Sequence, residues 1–229
     1  MHIKKNLQDI KEDIEKILEK EGRAKDSVTL IAVTKTVDVE TIKRSIELGI
    51  TDIGENRVQE LEKKIDYLKE SVDYHMIGHL QSNKVKYIID RVKLIHSLDR
   101  ISLAKEINKQ AKKNNIVADT LIQVNIAEED SKFGLHKEDV IPFIEEVLKY
   151  ENIRIKGLMT IAPFTEDEDL LRDIFRKMSI LKKEIENKKY KDLSLEYLSM
   201  GMTNDYKIAI EEGSNMVRVG TGIFGKRNY

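Results

Sequence analysis

Lys35 directly follows the apolar run Leu30-Ile31-Ala32-Val33-Thr34 and directly precedes a helix-like segment. An amine at the end of a buried strand is costly to desolvate, and desolvation lowers its pKa toward the neutral, nucleophilic form. Lys35 is therefore a candidate for Schiff-base chemistry, against the plainer reading of a strand-end lysine that snorkels to water. Far along the chain, Ser199-Met200-Gly201-Met202-Thr203 and Gly220-Thr221-Gly222 each follow an apolar run. Gly201, Gly220 and Gly222 permit close backbone approach, and Ser199 and Thr221 supply hydroxyls, a combination suited to a phosphate; either stretch alone also reads as a plain connection. Arg218 falls within Met216-Val217-Arg218-Val219. Facing inward it would meet a ring nitrogen or anion of a ligand, and facing outward a carboxylate on a surrounding helix; the pattern leaves both open. His79 is a candidate ligand contact or acid/base, although a lone loop histidine is more often a bystander. His75, His96 and His136 read as structural or exposed, with no metal-ligand spacing.

The elements that must position these residues follow from periodicity. Ile3, Leu7, Ile10, Ile14, Ile17 and Leu18 recur at three- and four-residue spacing, which predicts an amphipathic N-terminal helix. Short apolar runs predict strands at Val28–Thr34, Asp52–Ile53, Tyr74–Ile77, Leu94–His96, Thr120–Asn125, Ile153–Met159, Leu195–Leu198 and Met216–Val219. Most do not alternate, as expected of parallel strands covered on both faces. Helical stripes fill the gaps: Asp99 is the expected cap ahead of Leu103, Ile107 and Ala111, and Pro142 is expected in the first turn of a helix carrying Val140, Ile144, Val147 and Leu148. Thr165 with Glu168 has a capping-box pattern ahead of Leu171, Ile174, Phe175, Met178 and Leu181.

About eight strands alternating with helices predict an α/β fold, a (β/α)₈ TIM barrel preceded by a helix, with an open doubly wound sheet as the competitor. No linker, repeat or composition break divides the 229 residues, so one barrel domain over 1–229 is expected. In a barrel the chemistry sits in the loops after the strands. That places Lys35, Gly54-Glu55-Asn56, the Gly78–Lys84 loop and both glycine-bearing stretches on one rim.

Composition narrows the function classes. Forty Lys+Arg against 41 Asp+Glu give a net charge of -1, so there is no global signature for nucleic acid or anionic membrane. No run approaches the roughly 20 apolar residues of a membrane span, and Met1–Glu21 lacks a signal peptide's apolar stretch. With no cysteine, disulfides and thiolate sites are absent, and a cytoplasmic location is expected.

Six segments carry a further signal: Ala32-Val33-Thr34-Lys35; Gly54-Glu55-Asn56 with Val58-Gln59-Glu60; His75-Met76-Ile77-Gly78 with Leu80-Gln81-Ser82-Asn83-Lys84; Gly157-Leu158-Met159-Thr160; Leu198-Ser199-Met200-Gly201-Met202 with Asp205; and Met216-Val217-Arg218-Val219-Gly220-Thr221 with Ile223-Phe224-Gly225. In that order and without large insertions, they resemble the pyridoxal phosphate homeostasis proteins, also called the proline synthase co-transcribed family. Thr34 and Thr203 stand where many members carry serine, and Tyr74 where many carry tryptophan.

The resemblance implies a barrel like the N-terminal domain of alanine racemase, holding pyridoxal 5'-phosphate (PLP) as an internal aldimine on Lys35. It implies that Arg218 faces the pyridine nitrogen, that Ser199, Gly201, Gly220 and Thr221 belong to the phosphate loops with Met200 a backbone donor, and that Asn56 is on the pocket wall. An arginine there disfavours ring protonation and so weakens the electron sink. The implied role is a monomeric protein that buffers PLP or delivers it to apo PLP-dependent enzymes, without turnover. A PLP-dependent racemase or decarboxylase is the alternative, but related enzymes take an opposing acid/base from a second β-domain, and this chain ends at Tyr229. A Schiff-base aldolase acting on sugar phosphates would keep Lys35 without PLP, and without its yellow colour.

Overall fold

The computed structural model describes residues 2–129 and 132–225. The ends of the expected 1–229 unit, Met1 and residues 226–229, lie outside the described residues. Eight strands, β1 (Thr29–Val33), β2 (Asp52–Glu55), β3 (Asp73–Met76), β4 (Leu94–Leu98), β5 (Ala118–Gln123), β6 (Ile153–Met159), β7 (Tyr197–Ser199) and β8 (Met216–Val219), pair in parallel and in chain order. β8 returns to β1 with Thr29 opposite Met216 and Ala32 opposite Val219, which closes the barrel and rules out the open sheet.

Closure divides the apolar residues into two sets, because side chains alternate between the faces of a strand. Ile31, Leu94, Leu121, Met159 and Met216 form a small cluster apart from the main core. Their neighbours Ala32, Ile53, Ile95, Ile122, Leu158, Leu198 and Val217 join the stripes of the helices in that main core. β1, β4, β5, β6 and β8 thus carry apolar residues on both sides, which explains their continuous runs, whereas β2, β3 and β7 turn Asp52, His75 and Ser199 inward.

The helices are α1 (Ile3–Lys20), α2 (Val39–Glu47), α3 (Val58–Leu68), α4 (Ile101–Lys113), α5 (Lys137–Val147), α6 (Glu168–Asn187), α7 (Tyr206–Glu211) and α8 (Thr221–Phe224). The third crossover differs from the expected α-helix. It is a 3₁₀ segment, Ser82–Tyr87, that buries only Val85 of its own residues, too short a stripe for a longer helix. α1 buries all six residues that define its apolar stripe. It packs against α7 and α8, where Asn6 Nδ2 donates to Ile223 O at 2.9 Å and Tyr206 OH donates to Asp13 Oδ2 at 2.9 Å.

Three local expectations need correction. Arg100, not Asp99, is the N-cap of α4, because Asp99 turns to accept from the Arg100 guanidinium at 2.6 Å. Asp167 caps α6 by accepting from Leu170 N at 3.0 Å, while Thr165, two residues earlier, accepts from Asp167 N. Pro142 lies at the sixth residue of α5, beyond the first turn.

Candidate functional site

A cavity of about 690 Å³ opens at the C-terminal ends of the strands. Its wall includes Val33 and Lys35 after β1, Ile161 and Phe164 after β6, Met202–Asp205 after β7, and Gly220 and Thr221 after β8. The volume is that of a small-molecule or cofactor pocket.

Lys35 continues the inward-facing register of Ile31 and Val33, so the alternation of β1 carries its side chain to the mouth. The turn that follows is held from outside the barrel. Thr36 has φ 64°, an uncommon value for a β-branched residue, and its N–H donates to Glu60 Oε2 at 3.1 Å. Lys64 Nζ donates to Thr34 O at 2.6 Å and makes a close, buried ion pair with Glu55. Thr34 Oγ1 donates to Glu55 Oε1 at 2.5 Å. Burial pushes the Glu55 carboxyl up from its ordinary value, opposed by Lys64 and by the Thr34 hydroxyl.

On the part of the rim built by β7 and β8, next to β1, Thr203 Oγ1 is a hub. Gly220 N and Gly222 N donate to it at 3.3 and 3.2 Å, and Thr221 Oγ1 lies 3.2 Å away as a further donor. Three donors converging on one oxygen are what an anion would use. Gly222 is required by space, since a Cβ would come within 2.9 Å of Val219 Cγ1 and 3.1 Å of Thr203 Cγ2. Gly201, at φ 96°, lies so close to α7 that a Cβ would meet Ala209 Cβ at 2.6 Å.

Arg218 is 3% exposed and points inward. It donates to Ser199 Oγ at 2.5 Å and to Thr160 O at 2.7 Å. Burial brings its pKa down to about 10, with the charge of Asp205 acting in the other direction. Burial likewise raises Asp205, opposed by its hydrogen bond from Met202 N and by Arg218.

Of the residues expected at the site, Lys35, Gly220 and Thr221 line the cavity together. Ser199, Arg218, Gly201, Met200 and Asn56 are not part of its wall. The Ser199 hydroxyl is bound to Arg218 and His96, inside the barrel. Met200 donates its N–H to Met216 O at 3.1 Å, and its side chain belongs to the outer core. Asn56 is half-buried, with its backbone pressed against Gly78. His79 stacks on Phe133, with ring centroids 3.8 Å apart. Among the described residues no cluster could hold a metal ion, and no helix is long and apolar enough to cross a membrane.

Sequence reasoning missed Thr203 as the hub, Glu60 and Lys64 behind the Lys35 turn, and the buried pair His75 and His96. For Lys64 a signal existed: it lies four residues after Glu60, one turn along α3.

The alanine racemase N-terminal domain family matches residues 6–228. The chain is similar to the pyridoxal phosphate homeostasis protein of Aquifex aeolicus, at 44% identity over 230 residues that cover all of both chains. The Escherichia coli K12 protein of the same name is 34% identical over 98% of this chain and 96% of its own. Among solved structures, PipY of Synechococcus elongatus with PLP bound superposes with a TM-score of 0.81 at 30% identity, over 93% of this chain and all of its own. An alanine racemase of Clostridium difficile superposes with a TM-score of 0.72 at 17% identity, over 98% of this chain and 56% of its own, a likeness of fold alone.

Proposed function

The chain belongs to the pyridoxal phosphate homeostasis proteins and carries the alanine racemase N-terminal domain, and from that premise we propose that it binds PLP and takes part in its intracellular homeostasis. The observation that carries this reading is one cavity lined by an amine, Lys35 after β1, and by the donors gathered at Thr203 after the adjoining β8 and β7. A ligand with an aldehyde and a phosphate fits that pair of features.

In this reading Gly220, Thr221 and Gly222 would hold the phosphate through their donors. The Lys35 amine would hold the aldehyde end. Arg218, a cation sealed from solvent, acts on the ring nitrogen and opposes its protonation. PLP supplies carbanion stabilisation when bound, and an unprotonated ring limits it. Ser199, Met200, Gly201 and Asn56 shape the surroundings of this site. The reading extends to one domain over 1–229, a monomer in the cytoplasm, with apo PLP-dependent enzymes as recipients of the cofactor.

Binding without turnover is favoured over racemisation by the relatives' names and by the cavity wall. Among the described residues, the titratable groups of that wall besides Lys35 are already engaged: Asp38 accepts from Thr41 N, Asp205 from Met202 N, and Lys132 is paired with Glu129.

Lys35→Ala tests the reading. The variant is expected to fold normally by circular dichroism, to lose the visible absorbance of the covalent adduct, and to keep weaker, noncovalent PLP. An unchanged visible band would remove Lys35 from the site.

A further inference from the structure

The barrel interior contains an unbroken hydrogen-bonded line that the cofactor reading does not use. Asp52 Oδ1 lies 2.9 Å from His75 Nε2, His75 Nδ1 lies 3.0 Å from His96 Nε2, and His96 Nδ1 lies 3.2 Å from Ser199 Oγ. Ser199 Oγ in turn accepts from Arg218 at 2.5 Å. Both imidazoles are fully buried, and Asp52 begins β2 whereas Ser199 ends β7. The line therefore crosses the barrel and rises toward the strand ends that carry the cavity.

Its two ends fix its direction. A guanidinium can only donate, and a carboxylate can only accept. With neutral rings, one arrangement gives every contact one proton: Arg218 donates to Ser199, Ser199 to His96 Nδ1, His96 Nε2–H to His75 Nδ1, and His75 Nε2–H to Asp52. A protonated His75 would reverse the middle bonds. Ser199 would then accept from both His96 and Arg218, its two partners, and its own buried proton would meet no acceptor among the described residues. The groups around His96 agree with neutrality: burial first, with the Arg218 charge beside it, holds its pKa well below the usual range.

We propose that His96 and His75 are positioning residues: oriented by Asp52, they hold the Ser199 hydroxyl as a donor to His96, and so fix the Arg218 guanidinium in one geometry beside the cofactor ring. This rests on the PLP reading for its last step only. The charged and polar groups around Arg218 are Ser199 from β7, Thr160 O after β6 and Asp205 before α7. His75 and Asp52, on β3 and β2, act through them.

The test begins with ¹⁵N histidine NMR of the protein without PLP, which needs no variant. Both His75 and His96 are expected to be neutral and protonated on Nε2. Asp52→Leu removes the terminal acceptor, so the line loses its fixed direction and His96 gains an Nδ1-protonated population; Asp52→Asn, which still offers an oxygen, retains the wild-type tautomers. In the PLP-loaded protein, Asp52→Leu is expected to move the pH midpoint of the visible band upward, by up to about one unit, as Arg218 opposes ring protonation less well. Asp52→Asn is expected to restore the wild-type midpoint. A protonated His75, an Nδ1-protonated His96 in the wild type, or a shifted tautomer with an unmoved midpoint would each overturn the proposal. If PLP does not bind at all, the cofactor reading falls, and the tautomers still decide the direction of the line.

Discussion

Two buried polar networks flank the cavity, and they are built on opposite principles. Behind Lys35, the Glu55–Lys64 pair with Thr34 is compact, lies between β2 and α3, and draws on residues within about 30 positions of one another. Behind Arg218, the line from Asp52 is long, mostly neutral in its middle, and joins residues more than 100 positions apart. Their carboxyls are perturbed in opposite senses. Burial raises Glu55 despite Lys64. Burial also works to raise Asp52, but hydrogen bonds from His75 and Thr51 and the charge of Lys93 outweigh it and bring Asp52 down to about 2. The first network fixes a turn with a local charge pair; the second carries orientation across the barrel.

The contrast can be broken most forcefully at Lys64. Lys64→Met leaves Glu55 buried without its cation and is expected to cost about 3–5 kcal/mol in denaturant unfolding. Replacing Glu55 by Leu in the same chain should recover most of that loss; a double variant no more stable than the single would show that the pair is not the source.

Hydroxyls separate the networks next. Thr221→Ala should weaken PLP by about 1.5–3 kcal/mol and leave pyridoxal unaffected, since only a phosphate uses that donor. Ser199→Ala should weaken both ligands alike, because its hydroxyl serves Arg218 and His96. The two binding isotherms for each variant decide it.

Acid titration should show the opposed signs. Asp52 has a folded pKa below its ordinary 3.8, so its stabilisation is complete above that value and is lost as pH falls toward 2. The amount is about 2 kcal/mol. Asp52→Asn should flatten that part of the stability–pH curve. Glu55 is raised, so its contribution is present below its ordinary 4.5 and lost as pH rises through the folded pKa; Glu55→Gln should flatten the curve on that side instead. The smallest effect belongs to Lys93, half-exposed and 3.2 Å from Asp52 Oδ1. Lys93→Gln should cost less than about 1 kcal/mol and vanish in high salt.

What the sequence revealed follows the same division. Apolar runs located most of the eight strands, because a buried parallel strand leaves a contiguous record; β2, with Asp52 and Glu55 among its four residues, left only a weak one, and α1 was legible to its last buried residue, Leu18. Lys35, Gly220 and Thr221 could be placed at the cavity rim because each lies within two residues of a strand's end. Arg218 could be placed but not oriented, since only closure of β8 on β1 turns it inward. His75 and His96 looked like unrelated histidines 21 positions apart, and the bond from His96 to Ser199 spans 103 positions. Contacts made across a barrel have no spacing rule, so nothing in the chain could announce them.

The packing of α1 on α7 and α8 has a consequence for synthesis. Asn6 and Ile223, joined by a hydrogen bond, are separated by 217 positions. At a translation rate of roughly 5–20 residues per second, the first helix waits for on the order of ten to forty seconds until its partners leave the ribosome. Throughout that interval its isoleucines and leucines are a ready target for chaperones or for neighbouring nascent chains. A segment made long before its partners is thus among the last to dock, and the rate of elongation sets how long it stays exposed.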